Sequence, residues 1–434
     1  MTIEQTPNIT SIETDHDPMV NGEGAVIPLI IGQTGNTVEA DNIQIKKYRN
    51  IEQVGSSIEN GGIGNAEANM TYQFCKKFLK ETKKVYSDDI GLPFIYVIDM
   101  GSIDFTNGDA WAEAFNVAMT QQDVGEINIV GFKKEDKTKS ITDDEIATIV
   151  GIMSSLNEIM VNDSKKGRPK NALFTVEYST DEDMMKITDD SKATFIQKSR
   201  IWPCVSDFYP EMCARFCLTP YDGEPGFYDF RSVSAEDVII RTDNQEELLQ
   251  NAGINFIRVE MEGNIEHAKL CLGVSSAMAR AERPADALPH FRRNTDHLLR
   301  RIHFACYPQL KRNELKVNFK MLQSDVDDIV DEEIRKGAMQ KGTKAIVSES
   351  PSSVPKLHIK TIAKPVNSTW DDVQEIIEEL DSNPLALNIA CYNIIDDGEY
   401  EERGVLRYAT ITDFDSTAVD GTFGIKFEAL LFKH

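Results

Sequence analysis

Histidine is scarce in most of this 434-residue sequence: His16 alone precedes His267. A Ser/His/Asp centre needs an imidazole to take the proton of its nucleophile, so that scarcity argues against a triad in the first 266 residues. No GxSxG and no HExxH occurs, which removes the common hydrolase and zinc-protease signatures. The seven cysteines contain no CxxC, and Cys213 and Cys217 are the one close pair. Scattered cysteines of this kind read as reduced, mostly buried thiols of a protein made in a cytoplasm. No apolar run approaches the roughly 18–20 residues that span a bilayer. The first 45 residues hold no Lys or Arg, so the start does not read as a signal peptide. Basic residues are outnumbered 46 to 71, a formal charge of −25. That balance opposes binding to a nucleic-acid backbone or an anionic membrane surface and fits protein partners.

What is present is an alternation of strands and helices. After a polar segment, residues 1–24, the stretch Ala25–Thr37 reads AVIPLIIGQTGNT. A buried-strand candidate, Ile27–Ile31, runs there into Gly32 and Gly35. The stretch resembles the mouth of a phosphate site, but a P-loop requires GxxxxGK[ST] and a dinucleotide fold requires GxGxxG after a strand. Neither is there: no lysine lies near Gly35, and Gly62-Ile-Gly64-Asn-Ala-Glu67 lacks the third glycine. Periodicity predicts helices over Ala66–Lys84, Asp109–Thr120 and Thr142–Asn162, the last opened by a Thr142/Glu145 capping box. Strands are predicted at Pro93–Met100, Glu126–Phe132 and Asn171–Tyr178, with shorter elements at Glu211–Leu218 and Asn255–Val259. This order implies right-handed βαβ units and a mainly parallel sheet to about residue 275. The charged stretches Lys133–Lys139 and Asn162–Lys170 read as surface loops.

The pattern changes near residue 285. His290–Ala305, Ser324–Arg335 and Asp371–Leu380 read as helices; Lys356–Lys364, Pro384–Ile395, Gly404–Thr412 and Gly421–Lys433 as strands; and Gly337–Lys344 as a turn region. Three parts follow: an extended N-terminal arm (1–24), an α/β body (25–284) and an α+β C-terminal domain (285–434).

One helix carries a charge pattern. On a wheel of about 100° per residue, Phe291, Leu298, Leu299, Ile302, Ala305 and Cys306 share an arc, and Arg292, Arg293, His297, Arg300, Arg301 and His303 lie opposite, with Phe304 among them. The pattern fits either a solvated face or a docking surface for an acidic partner, including a second copy. Asp325, Asp328, Asp331 and Glu332 on the next helix supply such an acidic patch. The chain closes on a strand pattern in which Phe423, Ile425 and Phe427 alternate with polar residues before Leu431. A terminal strand, and an arm bearing Ile3, Ile9 and Ile12, are the parts needed for strand addition between subunits.

These stretches together resemble the contractile-tail sheath proteins of tailed viruses and related injection machines. The resemblance rests on VIPLIIGQTGN after a polar arm, PFIYVIDMG followed by DAWAEAF, PYDGEPGFYDFRSV at 220–233, GINFIRVEMEG at 253–263 and RP…FRRNTDHLLRRI at 283–302. It implies a subtilisin-like middle region without a protease's function, no cofactor, and stacked hexameric rings around an inner tube. The implied partners are other copies of the chain, the tube protein, and baseplate and tail-terminator proteins, without nucleic acid or membrane insertion. It further implies that the arm and final strand join the sheets of neighbouring subunits, that Arg292 and Arg293 lie on the helix before the last domain, and that the protein is assembled in the host cytoplasm into a virion tail. Two alternatives stay open at this point. One is a cytoplasmic α/β enzyme with a small-molecule site near Gly32, Gly35 and Asp99. The other is a different virion component, such as a baseplate or tube protein.

Overall fold

The computed structural model describes residues 26–38, 43–82, 92, 94–103, 106–164, 168–189, 200–221, 223–271, 273–276, 288–310, 319–336, 343–347, 357–363, 387–393, 406–409 and 429–432. It divides into two units. The first runs to Met160 and resumes over Lys170–His290; the second comprises Val161–Pro169 and Phe291–His434.

Six apolar or small residues, Ile27–Gly32, form strand β1, buried along its whole length. The sheet around it contains β2 (Ile45–Tyr48), β3 (Ile95–Asp99), β4 (Val124–Val130), β5 (Asn171–Phe174) and β6 (Ile201–Pro203), in the order β2-β3-β1-β4-β5-β6. Every pairing except that of β2 with β3 is parallel. All seven residues of β4 are buried, as expected where helices cover both faces of a parallel sheet. The mainly parallel α/β body is therefore as expected. The antiparallel edge strand β2 was not foreseen: IKKY is short and half-exposed, and carries little hydrophobic pattern.

The helices of this unit are α1 (Ile51–Val54), α2 (Met70–Thr82), α3 (Gly108–Met119), α4 (Asp143–Ser164), α5 (Asp181–Ile187), α6 (Tyr209–Leu218) and α7 (Asp243–Asn251). The chain leaves β1 toward β3 through α2, then crosses back through α3 to β4. Right-handed crossovers in opposite directions place the helices on opposite faces of the sheet. The predicted capping box opens α4: Thr142 N–H donates to Glu145 Oε2 at 2.7 Å, and Glu145 N–H donates to Thr142 Oγ1 at 3.3 Å. Phe74 of α2 meets Tyr209 of α6 with ring centroids 5.4 Å apart. The Tyr209 hydroxyl lies 3.0 and 2.8 Å from the carbonyls of Ile129 and Leu173, tying α6 to the sheet. Cys75, Cys204, Cys213, Cys217 and Cys271 are free thiols, all buried; burial pushes Cys271 up to about 12. Beyond β6 the parallel order gives way to an antiparallel hairpin, β7 (Ile257–Glu262) with β8 (Ile265–Leu270).

The two charged stretches are not simple surface loops. Lys134 is buried, and its ammonium donates to Asp183 Oδ2 and to the Lys139 carbonyl, each at 2.8 Å. Asp163, Ser164 and Lys170 are buried as well. A hydropathy pattern counts a lysine as a surface residue, whereas a paired lysine can be enclosed. Burial works against the Asp183 carboxylate, but Lys134 and the N–H groups of Ile141 and Thr180 together hold its pKa below the ordinary value. A carboxylate with a depressed folded-state pKa stabilises the fold above its unfolded value, near pH 4, and that contribution is lost as pH falls through the folded value. Acid unfolding of Asp183→Asn should therefore show a shallower loss of melting temperature below about pH 4 than the parent chain. Parallel curves would assign the acid sensitivity elsewhere.

The second unit contains α8 (Pro289–Leu310), α9 (Phe319–Lys336) and strands β9 (Thr343–Val347), β10 (Leu357–Ala363), β11 (Leu387–Asn393), β12 (Leu406–Ala409) and β13 (Ala429–Phe432). β11 pairs in parallel with β10 and antiparallel with β9, and β12 pairs antiparallel with β13. The strand β9 extends from a segment whose glycines and lysines predicted only a turn. The helix predicted at 371–380 lies outside the described residues.

Candidate functional site

At the end of β1 the chain makes the turn that resembled a phosphate loop. A Cβ on Gly32 would come within 2.3 Å of Thr71 Oγ1, near the start of α2. That same hydroxyl donates to the Gln33 carbonyl at 2.7 Å. Gly32 is thus a close-approach glycine that lets a helix start against a strand end. The Asp99 carboxylate accepts from Thr34 Oγ1 (2.5 Å) and Gly101 N–H (2.7 Å) on one oxygen and from Asn36 Nδ2 (3.0 Å) on the other. Both oxygens serve to join the loop after β1 to the loop after β3. Gly101, at φ +57°, leaves only 2.5 Å between a hypothetical Cβ and the Asn36 carbonyl. The arrangement is a turn lock. Asp99→Ala should cost about 1–3 kcal/mol of stability, because it leaves three donors without their acceptor. A melting temperature unchanged or raised by this substitution would instead mark Asp99 as a strained functional group.

The pattern of the basic helix left a solvated face and a docking surface both open, and the structure covers several of its arginines. Arg292, Arg293 and Arg300 of α8 are only 5, 4 and 3% exposed, and Asp296, His297 and Leu298 are buried beside them. Arg292 pairs with Asp296, one turn on, at 2.7 Å. Arg300 donates to the Pro169 carbonyl, and Arg301 pairs with Glu332 and Glu333 of α9. Part of the acidic patch is therefore engaged within the chain. Lys336 and then Arg301 hold the Glu332 carboxyl below its ordinary pKa. Asp325 is half-buried, and Asp328 and Asp331 are exposed. A wheel pattern cannot tell an open charged face from a covered one whose charges are paired. The side chain of Phe304 and the residues Ile3, Ile9, Ile12, Phe423, Ile425 and Phe427 lie outside what is described. Leu431 falls in β13, in register with Arg407 of β12.

Two of the clustered histidines have separate carboxylate neighbours. His290 Nδ1 is 2.6 Å from Glu224, and His297 Nε2 is 3.6 Å from Glu333. Burial lowers the His297 pKa against the opposing pull of Glu333. Among the described residues, no group of three His, Cys, Asp or Glu side chains is placed to hold a metal ion, and no helix is long and apolar enough to cross a membrane.

Two features carried no signal in the sequence. The first is a set of apolar side chains open to water. Ile240 is 89% exposed beside Ile239 in the approach to α7, and Met261 and Ile265 are more than 60% exposed at the closed end of the β7–β8 hairpin. The second is a cavity of about 550 Å³ at the carboxyl ends of β4, β5 and β6. Tyr178 (φ 63°) and Phe208 (φ 57°), the two non-glycine residues with positive φ among those described, stand in the loops that bound it.

No protein-family model matches the chain, and no curated protein matches its sequence. Solved structures do. The helical sheath of the anti-feeding prophage in its contracted state is similar with a TM-score of 0.52 at 10% identity, covering 86% of this chain and 90% of that one. A sheath tail protein from Listeria innocua aligns with a TM-score of 0.48 at 6% identity, over 77% of this chain and 92% of its own. The fold of this chain is thus the fold of the prophage sheath subunit.

Proposed function

We infer that this chain is a structural subunit of a contractile tail sheath, polymerising as stacked hexameric rings around an inner tube and shortening to drive that tube through an envelope. The observation that carries the reading is the extent of the likeness to a contracted sheath, 86% of one chain and 90% of the other. Both units take part in a match of that length, so the shared feature is more than the widespread parallel α/β layer. The resemblance of the sequence segments points to the same family. In this reading, a subtilisin-like middle region without a protease's function corresponds to the first unit. The partners are other copies of the chain, the tube protein, and baseplate and terminator proteins. The protein is made and assembled in a host cytoplasm and resides in the virion tail or an equivalent injection machine.

The mechanism is stored free energy. Subunits polymerise in a metastable extended lattice, and contraction buries more surface between them. At about 25 cal/mol per Å², about 200 Å² of extra apolar burial per subunit releases roughly 5 kcal/mol, repeated over every copy. Arg292, Arg300 and Arg301 have partners within the chain, so their pairing is a property of the subunit itself. Apolar burial and strand addition are therefore the main driving forces, and the exposed Ile240, Met261 and Ile265 are candidates for that burial. Sedimentation velocity of the purified full chain over increasing concentration should show growth into large assemblies. A single monomer boundary at every concentration would contradict the reading.

A further inference from the structure

We propose that the cavity at the carboxyl ends of β4, β5 and β6 binds a guanidinium group, held by the carboxylates of Glu177 and Asp207 and the hydroxyls of Thr175 and Ser179. In open parallel α/β sheets, ligands sit outside the carboxyl ends of the strands, typically where the strand order reverses. Here that reversal lies between β1 and β4. It is closed by Gln33, whose side chain lies against Gly131 and donates to the Ile103 carbonyl at 2.5 Å. The open space is displaced by a strand toward β5 and β6, and its size suits a small organic group.

Four observations define what it takes. Thr175 lines the cavity at 6% exposure, and its Oγ1 has no hydrogen-bond partner; Ser179 Oγ, also on the lining, has none either. Buried hydroxyls without partners are uncommon and costly, and a bound donor would satisfy them. Next, the lining carries three carboxylates, Glu67, Glu177 and Asp207, against one ammonium, Lys77. Asp207 has Arg241 only at 4.0 Å, because Arg241 is held by Asp181 at 2.8 Å. Burial raises the pKa of both Glu177 and Asp207, although Lys133, Lys137 and Lys77 oppose it at Glu177 and Arg241 opposes it at Asp207. Third, the left-handed residues Tyr178 and Phe208 each adjoin one of these acids. Backbone strain of this sort costs about 1–3 kcal/mol per residue and clusters at ligand sites. Finally, the walls include the rings of Phe74 and Tyr209, whose faces attract cations, and that of Tyr178, which already holds the Lys137 ammonium 3.7 Å from its centre.

An anion does not fit. The adjacent α6 has Pro210, which lacks an N–H, as its second residue and Glu211 in its first turn, so that helix end already carries a negative group. A planar guanidinium offers five donors in a fixed fork, enough for two carboxylates and two hydroxyls at once. The group has two possible sources, a free small molecule or an arginine side chain of a second copy. The proposal stands apart from the sheath reading.

The test is calorimetric titration and thermal shift of the full chain with agmatine, using N-carbamoylputrescine, in which an uncharged urea replaces the guanidinium, as the isostere. Agmatine should bind and raise the melting temperature, and N-carbamoylputrescine should do neither. Glu177→Gln/Asp207→Asn should weaken agmatine binding tenfold or more. Thr175→Val should weaken it too while leaving the unliganded melting temperature unchanged or raised, since the hydroxyl it removes has no partner. If agmatine also blocks assembly and the double substitution impairs it, the source is a neighbour's arginine. If assembled protein retains agmatine, the source is a free ligand. Equal binding of N-carbamoylputrescine, no agmatine binding, or affinity unaffected by these substitutions would overturn the proposal.

Discussion

Glu81→Ala should lower the melting temperature by about 10 °C, corresponding to a loss of about 3–5 kcal/mol. Glu81 is fully buried in the last turn of α2, and Arg215 of α6 reaches it at 2.6 Å with 5% of its side chain exposed. The same carboxylate accepts from the N–H groups of Arg231 and Ser232, at 3.0 and 2.8 Å, and from Ser232 Oγ at 2.8 Å. One acid therefore fastens α2, α6 and the segment that follows Tyr228. Removing it leaves a buried guanidinium without its counter-charge, and among the described residues only the Asp229 carbonyl, 2.5 Å away, still accepts from it. Arg215→Met alone leaves Glu81 with its backbone and hydroxyl donors, so it should cost less. Glu81→Leu/Arg215→Met should cost clearly less than the sum of the single changes, since the double variant buries no isolated charge. Additive losses in denaturant melts would show that the pair is not coupled and that the loop contacts alone matter.

Deleting residues 1–20 should leave the melting temperature nearly unchanged and abolish polymerisation. The described residues begin at Val26, whose N–H donates to the Cys217 carbonyl at 2.8 Å before β1 enters the sheet. On the proposed reading that segment adds a strand to a neighbouring subunit. Each backbone hydrogen bond so formed contributes roughly 0.5–1.5 kcal/mol net, so a few per arm sum to several kcal/mol, multiplied through the lattice. Light scattering and sedimentation of the truncated chain would read the outcome. A truncated chain that polymerises as before removes the arm from the account; one that fails to fold shows that the arm belongs to its own subunit's core.

The sequence carried the parallel sheet because its strands are short, apolar and separated by helices with clear periods. β1, β3 and β4 appear within a few residues of where alternation and glycine punctuation placed them. The Thr142/Glu145 cap was legible for the same local reason. What stayed hidden depends on partners distant in sequence. Glu81 and Lys134 look like ordinary surface charges on a helix end and a charged loop; only the fold brings Arg215, 134 residues on, to the first and Asp183, 49 residues on, to the second. Arg292, Arg293 and Arg300 show the same effect on a larger scale, since a pattern of charges along one helix says nothing about what covers it. Thr175 and Ser179 carried no signal, because an unpartnered hydroxyl is defined by its surroundings alone.

Electron microscopy of the purified full chain after concentration tests the central claim most directly. The account predicts rings or hollow tubes, and class averages viewed down the axis with sixfold symmetry and a central channel. Dispersed single subunits at every concentration, or closed particles without a helical repeat, would contradict it.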